Sequence, residues 1–212
     1  MTPADWAAVA LSLRVALLAT ALAAVPSIAL GWALSRQRRW WTGAVEFGVL
    51  LPLVVPPVVT GYALLLVLPR AVTFTWVAGV LASAIVGFPL FVQLARAGFE
   101  AVPGDLLDAA RADGAGRWDV LRRVVGPLAA PAVLSGGSLC FARALGEFGA
   151  TLVVAGNLPG RTQTLPLALF TRLQQVGGEA ASVRLALVAV ALAAVSLGAA
   201  RVLLTRWERR TA

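Results

Sequence analysis

Long apolar runs alternate with short charged ones along this chain, and each run is long enough to cross a membrane. Positions 7–34, 47–68, 74–96, 127–155 and 183–205 are predominantly apolar, and about 20 helical residues suffice to traverse the hydrocarbon core of a bilayer. Backbone groups in hydrocarbon must find partners within their own segment, so these runs predict helices. The expectation is an all-α polytopic membrane protein with about five transmembrane helices. It forms one transmembrane domain over residues 1–212, without an internal repeat or a separate soluble part. The first run has Asp5 ahead of it rather than a basic cluster and exceeds the apolar core of a secretory signal, so it is expected to stay as a span.

The runs differ in kind. Pro52, Pro56 and Pro57 remove backbone donors from the second and predict a bend or break there, just ahead of Thr60, Gly61 and Tyr62. Freed carbonyls and the Tyr62 hydroxyl can then face a watery path, or the prolines simply shape packing. Trp76 anchors the start of the third run at an interface. The fourth holds Ser135, Gly136, Gly137 and Ser138, small side chains that invite close helix contact. The connection 157–182 contains Arg161, Arg172, a Gly177-Gly178 break and an apolar stretch 165–173 that either lies in the interface or dips inward.

Charge orients this arrangement. The 18 basic residues outnumber 10 acidic ones, giving a formal net charge of +8. They are scattered at run ends rather than gathered with stacking aromatics on a soluble face, so no nucleic-acid partner is expected. Arginines at 36, 38, 39, 96, 111, 117, 122, 123, 201, 206, 209 and 210 fall on one side of the predicted spans, and those at 70, 161, 172 and 184 on the other. By the positive-inside rule the larger group is cytoplasmic, with the N-terminus outside and the C-terminus inside. Every basic residue is Arg. Without Lys there is no P-loop, without His no imidazole acid or base, and the lone Cys140 reads as a small buried hydrophobe. No catalytic constellation, cofactor site or metal site is expected.

Two charged features interrupt this background. Arg143 and Glu147 stand four apart in the fourth run, on one helical face. Each alone at mid-bilayer costs about 3 kcal/mol on insertion scales, so they pair or face water. Either they glue helices together or they belong to a pathway or gate. The other feature is 105–127. Asp105 is expected to cap a short helix with Asp108 in its first turn, both at the positive end of the dipole. Ala109 and Ala110 leave one side without bulk, so another protein can approach the backbone, while Leu106 and Leu107 supply apolar contacts. Gly114 ends this helix. A second short helix carries Arg117, Val120, Leu121, Arg122, Arg123, Val124 and Val125 and is expected to stop at Pro127. The stretch reads as a docking device.

Asp108-Ala109-Ala110, Gly114 and Val124-x-Gly126-Pro127 resemble the EAA loop of ATP-binding-cassette permeases. The spacing EAA-x3-G-x9-I-x-L-P is matched in full, with Asp108 in place of the usual Glu and Gly126 in place of the usual Leu. The string LPLVVPPVVTGY and the run 142–170, ARALGEFGATLVVAGNLPGRTQTLPLALF, are similar to molybdate-type permeases, so the resemblance covers most of the chain. It implies the permease subunit of an oxyanion importer in a bacterial or archaeal cytoplasmic membrane, with tungstate and sulfate permeases as close relatives. The implied partners are a second copy of the chain, two copies of a separate cytoplasmic ATPase and an extracytoplasmic oxyanion-binding protein. The permease itself would then do no chemistry.

The resemblance assigns ATPase coupling to Asp105, Asp108, Ala109, Ala110, Gly114, Arg117 and Pro127. Pathway or gate candidates are Gly136, Gly137, Arg143, Glu147, Tyr62 and Arg161. Gly136 and Gly137 are expected to let the fourth helices of two copies touch. Arg161, with Thr162 and Thr164, either attracts the anion or serves as a docking contact. Two readings of other classes stay open: an ion-coupled secondary carrier that uses Glu147, and a membrane-embedded enzyme or scaffold with a site built from Arg143, Glu147 and Tyr62.

Overall fold

The structure, a computed structural model, describes residues 1–36 and 40–211. Helix α1 spans Pro3–Arg36, α2 Thr42–Val54, α3 Pro57–Val67, α4 Trp76–Glu100, α5 Gly104–Ala112, α6 Arg117–Val120, α7 Gly126–Leu145, α8 Gly149–Val154, α9 Leu165–Leu173 and α10 Glu179–Thr211. No strand occurs among the described residues. Arg38 and Arg39, expected at a membrane edge, lie outside them, as do the side chains of Arg209 and Arg210.

Helix α4 is the hub, with α1 on one side and α7 on the other as its most extensive contacts. Val15, Ala16 and Ala19 of α1 cluster with Val80 and Ala84 of α4, and Gly31 lies against Ala95 and Arg96, so these two helices run parallel. The chain must therefore recross between them. It does so through α2 and α3, which meet at a 108° bend. Pro56 is extended (φ −53°, ψ 132°), and Pro57 opens α3 where its missing N–H has no helical partner to lose. The second run is thus a helix pair broken at its prolines.

Against α7 the sense reverses: Gly87 faces Cys140, Gly136 faces Phe91 and Gly98 faces Ala132. A Cβ at Gly87 would sit 2.6 Å from Cys140 Sγ, and one at Gly136 2.8 Å from the Phe91 ring. Small residues are what let the two backbones approach. Gly136 and Gly137, expected against a second copy, both lie beside Phe91 of α4 in their own chain. Gly136 is buried on α4 within the chain, and a Cβ at Gly137 would touch the same Phe91 ring at 3.5 Å. Helix α10 returns antiparallel to α7: Trp207 Nε1–H donates to Pro127 O at 3.4 Å near one end, and Leu192 joins the cluster of Ala144 and Leu145 near the other. The stretch 165–173 packs as α9 on α1 and α10, with Leu165 N–H donating to Ser12 Oγ at 2.6 Å and Arg172 paired with Asp5 at 3.1 Å.

The fourth run departs from expectation at both ends. It begins at Arg117, because a wide π turn, Leu121–Val125, carries α6 into α7 as one continuous helix. Gly126 N–H reaches back five residues to Leu121 O. The wider turn relieves the clash a proline ring makes with the preceding carbonyls, so Pro127 does not stop the helix. A Cβ at Gly126 would lie 3.0 Å from that same Leu121 oxygen. The absence of a larger apolar residue there therefore has a local cause. At its other end the run is not helical to position 155: α7 stops at Leu145, and the chain restarts as α8 after Gly146, Glu147 and Phe148.

Candidate functional site

The α5–α6 loop is built into the body of the chain. Leu107 and Val120 are buried in one cluster with Phe99 and Val102 from the end of α4, Val125 from the π turn and Ala129 from α7. Helix α5 ends in a Schellman arrangement, with Gly114 N–H donating to Arg111 O and Ala115 N–H to Ala110 O, both at 3.0 Å, and Gly114 at φ +82°. Its start differs from expectation. Pro103 precedes the helix and no side chain caps it, so Asp105 contributes only a charge in the first turn. The alanines also divide: Ala109 is exposed, whereas Ala110 is half-buried against the cluster beneath. The outward face comprises Asp105, Leu106, Asp108, Ala109 and, across the turn, Arg117 and Trp118, the last 70% exposed. Asp108 Oδ1 accepts from Arg111 Nη1 at 3.0 Å. An exposed pair of this kind is worth at most about 1 kcal/mol, so Asp108 stays available to a partner.

A second centre forms where α7 breaks. Arg143 Nη1 donates to Glu147 Oε2 at 2.7 Å, with the arginine side chain 30% exposed and the glutamate 1%. The expected pair exists, but not along an unbroken helix. Glu147 follows the end of α7 and turns its other oxygen, Oε1, to accept the Ala150 N–H at 2.8 Å, which satisfies a donor at the start of α8. Helix α8 then packs on α3. A Cβ at Gly61 would lie 2.6 Å from Ala150 O, and one at Gly149 3.1 Å from Pro57. The two interrupted runs therefore meet at their interruptions. Tyr62, beside Gly61, is 55% exposed, and the Phe148 ring packs tilted against Phe170 of α9, with centroids 5.1 Å apart.

Gly136 and Gly137 are not part of this centre, and neither is Arg161, which is exposed on the connection between α8 and α9. There Thr162 Oγ1 accepts from Leu158 N–H and donates to Gly156 O, both at 3.1 Å. Arg161 instead shares a cavity with Arg14, whose guanidinium lies 4.0 Å from the centroid of the Trp76 ring. Sequence reading passed over Arg14, although an arginine inside an apolar run was itself a signal.

Residues 27–210 match the family described as binding-protein-dependent transport system inner membrane component. The chain is 39% identical to the molybdenum transport system permease protein ModB of Escherichia coli, over 99% of this chain and 96% of that protein. ModB of Haemophilus influenzae is 38% identical over 96% and 93% of the two chains. The putative molybdenum transport system permease protein YvgM of Bacillus subtilis is 42% identical over 78% and 79%. Among solved structures, a chain of the MetNI methionine ABC transporter in inward-facing conformations superposes with a TM-score of 0.78, covering 98% of this chain and 99% of that one. At 16% identity that is a likeness of fold. With the family matched over most of its length and curated relatives aligned nearly end to end, the chain belongs to the inner-membrane permeases of binding-protein-dependent ABC transport systems.

Proposed function

We propose that this permease imports molybdate, with two copies forming one pathway, a separate ATPase docked on each α5–α6 loop at the cytoplasmic face, and a binding protein delivering the oxyanion on the opposite side. The observation that carries the substrate is the near full-length match to molybdenum transport permeases. ATP hydrolysis belongs to the partner subunit. The exposed side of the loop, with Ala109 between the carboxylates and Trp118, admits close approach of a groove on that ATPase.

Coupling follows from continuity. The helix from Arg117 to Leu145 has 29 residues, a rod roughly 40 Å long at 1.5 Å per residue. Displacing the loop tilts this rod and moves the Arg143–Glu147 break at its far end. Rigid-body rocking of two such helices exposes the pathway to each side in turn. The half-exposed Arg143 favours a divalent anion, and Glu147 moderates that charge so the anion is not trapped.

The test uses the purified permease–ATPase complex with molybdate-loaded binding protein. Wild type is expected to show ATP hydrolysis stimulated by the loaded binding protein, and Ala109→Trp to lose that stimulation while the permease keeps its fold. Full stimulation of the Ala109→Trp complex removes the docking assignment.

A further inference from the structure

We propose a second oxyanion site, on the side of the molecule opposite the α5–α6 loop, formed by Arg14 of α1 and Arg161 of the α8–α9 connection. It rests on the importer reading and adds the place where a free tetrahedral dianion, once released by the binding protein, is first held by the permease. The two arginines line one cavity of about 420 Å³ together with Thr75, Trp76, Thr162 and Gln163. That space takes a dianion and several waters at about 30 Å³ each.

The charge balance at this face is what points to an anion. Arg172, nearby in sequence, is neutralised by Asp5 at 3.1 Å. Among the described residues no ion pair uses Arg14 or Arg161. Trp76 holds the Arg14 guanidinium by its flat face, which leaves the N–H edge free to donate. The frame around them is already fixed. Thr162 Oγ1 is bonded to both Leu158 N–H and Gly156 O, and Gln163 Nε2 donates to Asn157 Oδ1 at 2.9 Å and Thr171 Oγ1 at 3.2 Å. Two guanidinium forks without a carboxylate match the charge and oxygens of one dianion. A phospholipid phosphate offers similar chemistry, and the second arm of the test below distinguishes it from a free oxyanion.

The site is tested by equilibrium binding of molybdate, and of sulfate separately, to the permease–ATPase complex in phosphatidylcholine nanodiscs without binding protein or nucleotide. Wild type binds. Arg14→Gln and Arg161→Gln each weaken binding about tenfold or more, as expected for a lost bond to a charged group. Arg161→Lys falls between, keeping charge without the fork. Arg184→Gln, which removes the same charge elsewhere on this side, leaves binding unchanged. A second arm adds phosphatidylglycerol and weighs retained lipid by native mass spectrometry. Retained lipid that depends on Arg14 and Arg161, with no oxyanion binding in either nanodisc, overturns the proposal in favour of a headgroup. Absent binding in wild type, or undiminished binding in both glutamine variants, also overturns it. ATP-driven uptake measured on the same complex with binding protein separates the two failures, since uptake without such binding rejects this site and leaves the importer reading intact.

Discussion

Glu147→Gln removes one charge from the break between α7 and α8 without changing its volume. Each carboxylate oxygen of Glu147 accepts one bond, from Arg143 at 2.7 Å and from the Ala150 N–H at 2.8 Å. An amide has a single acceptor oxygen. If it keeps the Ala150 N–H, its NH₂ group faces the Arg143 guanidinium, donor against donor. A hydrogen bond to a charged group contributes about 1.5–3 kcal/mol. Because the stranded Arg143 side chain is 30% exposed, water offsets part of this loss and about 2 kcal/mol is expected. Arg143→Met is the harsher change. It strands a glutamate whose side chain is 1% exposed, and a buried charge left without its partner costs about 3–5 kcal/mol. The double variant removes both charges, keeps an acceptor for Ala150 N–H, and should lie close to wild type. For a chain of this size these values lower the melting midpoint by about 5 °C for Glu147→Gln and about 10 °C for Arg143→Met. Melting in nanodiscs and molybdate uptake, measured on all four proteins, separate the two roles of the pair. Restored stability with uptake still impaired places the charges in the pathway, whereas restored stability and uptake make them helix glue. Equal losses for the two single variants, or a double variant worse than either, would refute the reasoning.

Two further substitutions test the close contacts. Gly61→Val puts a Cβ 2.6 Å from Ala150 O and should force α3 off α8, costing about 1–3 kcal/mol as overpacking does; an unshifted melting curve contradicts that contact. Gly87→Ala meets Cys140 Sγ at 2.6 Å, so it should destabilise, and adding Cys140→Ala should recover part of the loss in the same melting assay; no recovery places the obstruction elsewhere.

The hydrophobic pattern carried most of this architecture. Four of the five apolar runs hold helices long and apolar enough to cross a membrane and the second is a helix pair bent by 108°, a bend that was readable because proline removes a donor wherever it stands. Misread positions are those where a neighbour overrides a local rule. Pro127 looked like a terminator, yet the π turn before it absorbs the ring and the helix continues. The interruption at 146–148 carries no proline. It depends on a glutamate turning back to the Ala150 N–H, a contact that no spacing specifies. Ala109 and Ala110 are identical in sequence, and only the fold decides that one faces out and the other faces the core. The packing of Gly136 on α4 was invisible for a similar reason, since small residues announce a close contact without naming the helix that makes it. Arg14 could be paired with Arg161 only once α1 and the α8–α9 connection were brought to one cavity.

The central claim, ATP-driven import of molybdate, is tested most directly by reconstituting the permease and its ATPase in proteoliposomes with the binding protein outside and ATP inside. Internal molybdenum is then measured by mass spectrometry. Accumulation is expected to require both ATP and binding protein, to persist when ionophores collapse ion gradients, and to exceed that of sulfate offered at the same concentration. Accumulation that survives ATP depletion but stops with the ionophores would contradict the account and favour an ion-coupled carrier.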